Sequence, residues 1–345
     1  MLIVSYLCYS VYIENDFHLE SWIAMSKSIA ILSITLLVLS IISIFVGVVS
    51  LNPNDILSLD DNQLNVLLSS RLPRTLSIII AGMSLSLCGL IMQQLTQNKF
   101  VAPTTAGTMD FAKLGIIISL MFFPEANLLL KLLFATVLAL LGTSVFIQII
   151  QKVKFKDIVF VPLIGIMLGN VISSLGTYIA LKSNSIQSIG SWFQGDFSIV
   201  TSGRYEILFI TIPLLIIAGL YANQFTIAGM GESFSVNLGL NYQRIVQIGL
   251  LITSIITAVV VVTVGMLPFL GLIVPNIVSL YRGDSIRNTL VHVSLTGAIL
   301  VMICDIIGRI IIFPYEIAIG LVIGVVGSVV FLIMILRSRR GFGEA

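Results

Sequence analysis

Long apolar stretches alternate along this chain with short polar ones. A helix needs about 20 residues to cross the hydrocarbon core of a bilayer. On that measure the pattern predicts ten spans, at 28–50, 76–95, 105–123, 128–150, 158–181, 207–222, 245–264, 268–280, 290–313 and 317–336. The eighth is short and holds Pro268, Gly271 and Pro275. It is expected to be broken or buried among its neighbours, because lipid-facing backbone cannot leave its polar groups unpaired. An even number of spans returns both termini to one side. One polar interval, 229–244 (GMGESFSVNLGLNYQR), has a pattern of its own. Its middle, 232–238, has no Gly or Pro, and Gly231 and Gly239 stand at its ends. That predicts a short helix with a glycine stop. Phe234, Val236, Leu238 and Leu240 make it too apolar for a freely solvated loop. A short interfacial connector and a handle for a soluble partner fit these residues equally well.

Composition agrees with the pattern. Of 345 residues, 57% are hydrophobic and 10% charged, where a soluble domain carries about 25% charge. The chain is read as an all-α polytopic protein of the cell membrane. The net charge of +2 says little, but its placement says more. With the N-terminus inside, the inner segments hold Lys27, Lys99, Lys152, Lys154, Lys156, Arg244, Arg282, Arg287, Arg337, Arg339 and Arg340. The outer segments hold only Arg71, Arg74, Lys131, Lys182, Arg204 and Arg309. The positive-inside rule then puts both termini and the 229–244 segment in the cytoplasm. Residues 25–345 form one domain, with no low-complexity linker. Residues 1–24 mix apolar and acidic positions and lack a positive n-region. They are read as a leader of doubtful structure or an over-extended start.

Several chemistries are excluded. The three cysteines, Cys8, Cys88 and Cys304, are scattered, and the two histidines, His18 and His292, belong to no HExxH. No metal site or cofactor is expected. There is no GxxxxGK[ST] loop, so this chain does not hold a nucleotide in the P-loop manner, and no catalytic serine or aspartate constellation is present. No nucleic-acid partner is expected. Charges inside spans are functional suspects, but Asp110 and Lys113 stand at i,i+3 and Asp305 and Arg309 at i,i+4. Both are read as structural ion pairs. In the long outer loop, Trp192 and Phe193 are read as interfacial anchors.

Three stretches together resemble the FecCD-type permeases, the membrane subunits of importers for iron–siderophores, haem and cobalamin. They are RLPRTLSIIIAGMSLSLCGLIMQQLTQN from Arg71, GESFSVNLGL from Gly231, and PFLGLIVPNIVSLYRGD from Pro268 followed by CDIIGRIIIFPYEIAIGLVIGVVGSVVFLIMIL to Leu336. The resemblance runs from about Met25 onward. It departs where the usual Pro-His is Pro275-Asn276, where the usual following Arg is Ser279, and in the turn Gln97 to Pro103. That variant looks like the Gram-positive branch that imports catechol-type, petrobactin-like ferric siderophores.

The resemblance implies a type II ABC importer permease fold. It implies a second permease subunit, identical or paralogous, two cytoplasmic ABC ATPase subunits, and an extracellular substrate-binding lipoprotein. The cargo it implies is a ferric siderophore that stays chelated. It carries Arg71, Arg74 and Arg309 over as cations that meet receptor glutamates, against the plainer reading of interfacial snorkelling. It makes Gly231, Glu232, Phe234, Leu238 and Gly239 the segment that couples to the ATPase. Glu316 falls near the pathway mouth, where an acid also suits a helix N-terminus. Gly320, Gly324 and Gly327 form a small-residue stripe, read as helix packing or as a smooth pathway wall. Haem or cobalamin as cargo is the alternative. An ion-coupled secondary transporter fits less well, because its midplane acids would be unpaired and its halves repeated.

Overall fold

A computed structural model describes residues 25–47, 60–153, 159–183, 190 and 193–341. Residues 1–24, Lys154, Lys156 and Trp192 lie outside the described residues. Helices account for each apolar stretch. They are α1 (Met25–Phe45), α2 (Asp61–Val66), α3 (Leu72–Thr96), α4 (Thr108–Phe122), α5 (Leu128–Lys152) and α6 (Phe160–Lys182). Beyond the outer loop come α7 (Thr211–Leu220), α8 (Ala222–Ala228), α9 (Glu232–Asn237), α10 (Tyr242–Thr263), α11 (Leu270–Arg282), α12 (Ile286–Ile310) and α13 (Ile319–Gly341).

Not every predicted span is a single helix of crossing length. Among the described residues six helices are long and apolar enough to cross a membrane, or seven if the pair 205–220 and 222–228, bent by 63°, is one span. Helix α4 has 15 residues and α11 has 13, short of the ~20 that a crossing takes. Both lose length to irregular backbone that protein, not lipid, surrounds. Helix α4 starts only after Gly107 (φ 77°), its N-cap, because a turn uses up the beginning of the apolar run. Helix α11 follows the non-helical stretch 264–269, and from Leu270 to Asn276 every residue is buried.

Helix α3 is the post around which the rest is packed. It touches α10, α11 and α12 along its length, and 19 of its 25 residues are buried. Small residues allow this. A Cβ on Gly82 would lie 2.7 Å from the Ala298 Cα of α12, and one on Gly89 would run into the Gly271 carbonyl of α11. The backbones are therefore in near contact, as close helix crossings in membranes require. Helices α4, α5, α6 and α10 form a second group. Cys88 and Cys304 are buried within the core.

Two ends of the molecule follow. At 25 residues with a rise of 1.5 Å each, α3 spans roughly 37 Å. Its first turn, carrying Arg74, meets Asp305 and Glu316. Its last turns, carrying Gln94 and Gln97, meet Gly229 and Gly231 beside α9.

Candidate functional site

At the α9 end, the sequence builds a short rigid projection. Gly231 (φ 111°) precedes the helix and Gly239 (φ 79°) follows it, both in conformations that cost a residue with a Cβ. The helix closes one residue earlier than the pattern predicts, with Leu238 as its C-cap. Ser235 is its one buried residue. The Ser235 hydroxyl donates to the Ile227 carbonyl at 3.1 Å and to the Gly231 carbonyl at 2.8 Å, and the Leu240 N–H donates to the Ser235 carbonyl at 3.0 Å. The bond to Ile227 ties α9 to the last turn of α8. Against that anchored side, Phe234 (45%), Val236 (57%) and Leu238 (56%) are exposed. The six-residue helix and its C-cap thus leave three large apolar side chains uncovered by the described residues.

The elbow before α9 is seated on α3. A Cβ at Gly229 would meet the Gln94 side-chain oxygen, and Gln94 donates to the Asp284 carbonyl at 3.2 Å. Lys99 pairs with Asp284 at 2.9 Å. Thr226 of α8 accepts the Ile286 N–H at 3.1 Å. Asn276, one of the departures from the resembled motif, donates through Nδ2 to the carbonyls of Lys99 and Leu272, both at 2.7 Å. It thus pins the turn after α3 onto α11. A cavity of about 960 Å³ opens beside α9, lined at its polar end by Gln97, Gln148, Gln151, Gln243 and Gln247.

At the opposite end lies a buried charge cluster. Arg74 contacts Asp305 at 2.8 Å and Glu316 at 2.7 Å, and Arg309 contacts Asp305 at 2.6 Å. The Asp305 side chain is 1% exposed, Arg309 4%, Arg74 12% and Glu316 29%. Two cations and two anions cancel in a place where water does little to screen them. Arg309 also donates to the carbonyls of Ser43 and Val46 at 2.9 and 2.8 Å, and to the Ser43 hydroxyl. Arg71, itself buried, donates to the Ile44 carbonyl. The two guanidinia thereby cap carbonyls at the end of α1, the groups a helix terminus leaves unpaired.

The expected site residues fall into groups. Arg71, Arg74 and Arg309 are together, but beneath the surface and engaged with this chain's own groups. Glu316 joins them from three residues before α13. Gly320 lies against the Gln194 carbonyl and Gly327 against Phe269, so both serve close packing within the chain, while Gly324 has Pro268 alone nearby, 3.8 Å from where a Cβ would be. The Asp305–Arg309 pair forms. The Asp110–Lys113 pair does not, for no ion pair within 4.0 Å joins them among the described residues. Asp110 instead sits in the first turn of α4, which favours an acid. Lys113 lies over the Phe193 ring at 4.9 Å, a cation–π contact. Phe193 is accordingly buried, not an interfacial anchor. Sequence reasoning missed the anchoring role of Ser235 and the union of Arg74 with Asp305. The first had a signal, a small polar residue amid exposed apolar ones; the second had none. Among the described residues no cluster of three or more His, Cys, Asp or Glu is placed to hold a metal.

Comparison with known proteins gives consistent findings. The model of the FecCD transport family matches residues 35–337. The chain is 58% identical over 308 residues to the petrobactin import system permease protein YclN of Bacillus subtilis, covering 89% of this chain and 98% of that one. It is 43% identical to the ferric-anguibactin transport system permease protein FatD of Vibrio anguillarum, over 79% of this chain and 87% of the relative. The structure of a metal-chelate type ABC transporter in an inward-facing conformation superposes with a TM-score of 0.78 at 21% identity, covering 90% of this chain and 99% of the other.

Proposed function

Because this chain belongs to the FecCD transport family, we propose that it is the permease subunit of an ATP-binding-cassette importer carrying a catechol-type ferric siderophore into the cytoplasm. The named substrates of the relatives, petrobactin above all, support the cargo. The chain does no chemistry; ATP is hydrolysed by a partner. A second permease subunit, two ATPases and an extracellular binding lipoprotein complete the assembly, and ten spans with both termini inside is the topology it requires. The single observation that carries the coupling role is α9, a pinned helix whose apolar side chains Phe234, Val236 and Leu238 are uncovered. The cargo test is growth of a deletion strain complemented with this chain, with ferric petrobactin, haem or ferric citrate as the iron source. Growth restored on ferric petrobactin alone is the expected result; rescue by haem alone would replace the cargo.

The orientation has its own test. A single cysteine placed at Lys154, in a background lacking the native cysteines, should resist an impermeant thiol reagent in intact cells and react after lysis. Ready labelling in intact cells would invert the topology.

Receptor docking takes a modified form. The three arginines are already engaged, so a receptor carboxylate reaches Arg74 by replacing Glu316, the most exposed member of the cluster. Glu316→Gln removes the internal competitor and should tighten receptor binding, by about two- to fivefold for one partly exposed pair. Titration of receptor against the reconstituted importer measures it. Weaker binding by the variant would mean that Glu316 holds Arg74 in place for docking, not against it.

A further inference from the structure

A second polar site lies at the α9 end of the molecule, between α1, α11 and α12. We propose that the cavity there is a binding site for the phosphate headgroup of an anionic phospholipid. The cavity measures about 370 Å³. One wall is apolar, with Ile31 and Leu32 of α1 facing Ile277 and Val278 of α11. The polar end holds Ser28, Arg282 and His292. Ser28 and His292 are joined by a hydrogen bond of 2.9 Å between the hydroxyl and Nε2, and His292 is 4% exposed. This fixes the polar end in shape.

Charge decides the occupant. Arg282 lines the cavity and makes no ion pair or hydrogen bond with any residue of the chain that the structure describes. The acid nearest to it in sequence, Asp284, is held by Lys99 at 2.9 Å. Among the described residues no carboxylate lines the cavity. Lys27, exposed and next to Ser28 in sequence, adds to the positive field. An unpaired guanidinium over an apolar wall fits a molecule with a phosphate at one end and hydrocarbon at the other. Depth agrees, since Tyr281 lines the cavity and is 80% exposed, beside Leu280 at 71%. An amphipathic ring of this kind belongs at the headgroup level of a bilayer.

The test uses the full-length protein in nanodiscs of equal parts dioleoylphosphatidylglycerol and dioleoylphosphatidylcholine. Native mass spectrometry of the released protein should show phosphatidylglycerol retained in excess. Arg282→Gln should cut that excess about fivefold, the loss of one cation near a charged lipid surface. Ser28→Ala should reduce it less, and Arg287→Gln, which does not line the cavity, should leave it unchanged. Equal retention of the two lipids by the unaltered protein would overturn the proposal, as would an Arg282→Gln excess equal to wild type. If Arg282→Gln fails to fold, the Ser28→Ala comparison decides alone. Inorganic phosphate is the other source of the same chemistry. If sodium phosphate displaces the retained phosphatidylglycerol at millimolar concentration, the site takes a soluble anion and the lipid assignment fails.

Discussion

Leu238→Asp is expected to leave a folded, membrane-inserted protein that no longer retains its ATPase and imports no ferric siderophore. Leu238 is 56% exposed at the C-cap of α9, with Phe234 one turn earlier and 45% exposed. Among the described residues none covers either side chain, so the substitution does little to the permease alone. In the complex the consequence is large. A small docking patch draws its energy from a few buried anchors, each worth about 2 kcal/mol or more when truncated. An aspartate in the same place adds an uncompensated charge to an apolar contact. A loss of about 27-fold in affinity follows from 2 kcal/mol at ~1.4 kcal/mol per decade. Gly239→Val should act in the same direction more weakly, since a β-branched residue resists the φ of 79° that closes the helix. Co-purification of the ATPase and uptake of radiolabelled ferric siderophore are the readouts. Normal values of both for Leu238→Asp would make α9 a mere connector.

Asp305→Asn should destabilise the protein itself. Asp305 is the hub of the buried cluster, in contact with both Arg74 and Arg309 and 1% exposed. Removing its charge leaves Arg309 with only neutral partners and gives the cluster a net positive charge. Breaking a buried pair from one side costs about 3–5 kcal/mol. Glu316→Gln, at a position 29% exposed, should cost far less. Thermal unfolding in detergent separates the two. A melting temperature for Asp305→Asn equal to wild type would show the cluster to be solvated in life. The same reasoning warns against Arg309→Glu as a docking mutant. It would put a third acid beside Asp305 and release α1, so lost import would report damage, not receptor contact.

Much of this was legible in the sequence. Apolar runs located every long helix, because a bilayer-length run has few other uses. Gly231 and Gly239 located α9, because backbone with positive φ is costly for any residue with a Cβ. The Asp305–Arg309 pair was legible because i,i+4 residues share a helix face. What stayed hidden depends on contacts across the chain. Arg74 lies 231 residues from Asp305 and 242 from Glu316, and no local pattern links them. The Asp110–Lys113 spacing was right for a pair, yet a helix N-terminus suits the acid and an aromatic face takes the lysine. Where a span is broken stayed hidden because composition does not tell lipid-facing backbone from backbone that other helices enclose, as at 264–269.

The capping of α1 bears on how the protein is made. Its first helix is peripheral, 11% buried in its most apolar window, and Arg309, which anchors its end, lies 266 residues from Ser43. A ribosome completes nearly the whole polypeptide before that arginine enters the bilayer. Until then the carbonyls of Ser43 and Val46 have no guanidinium to receive. Helix α1 is thus among the last segments to be fully locked, and a nascent chain stalled ahead of α12 caps its end through Arg71 alone.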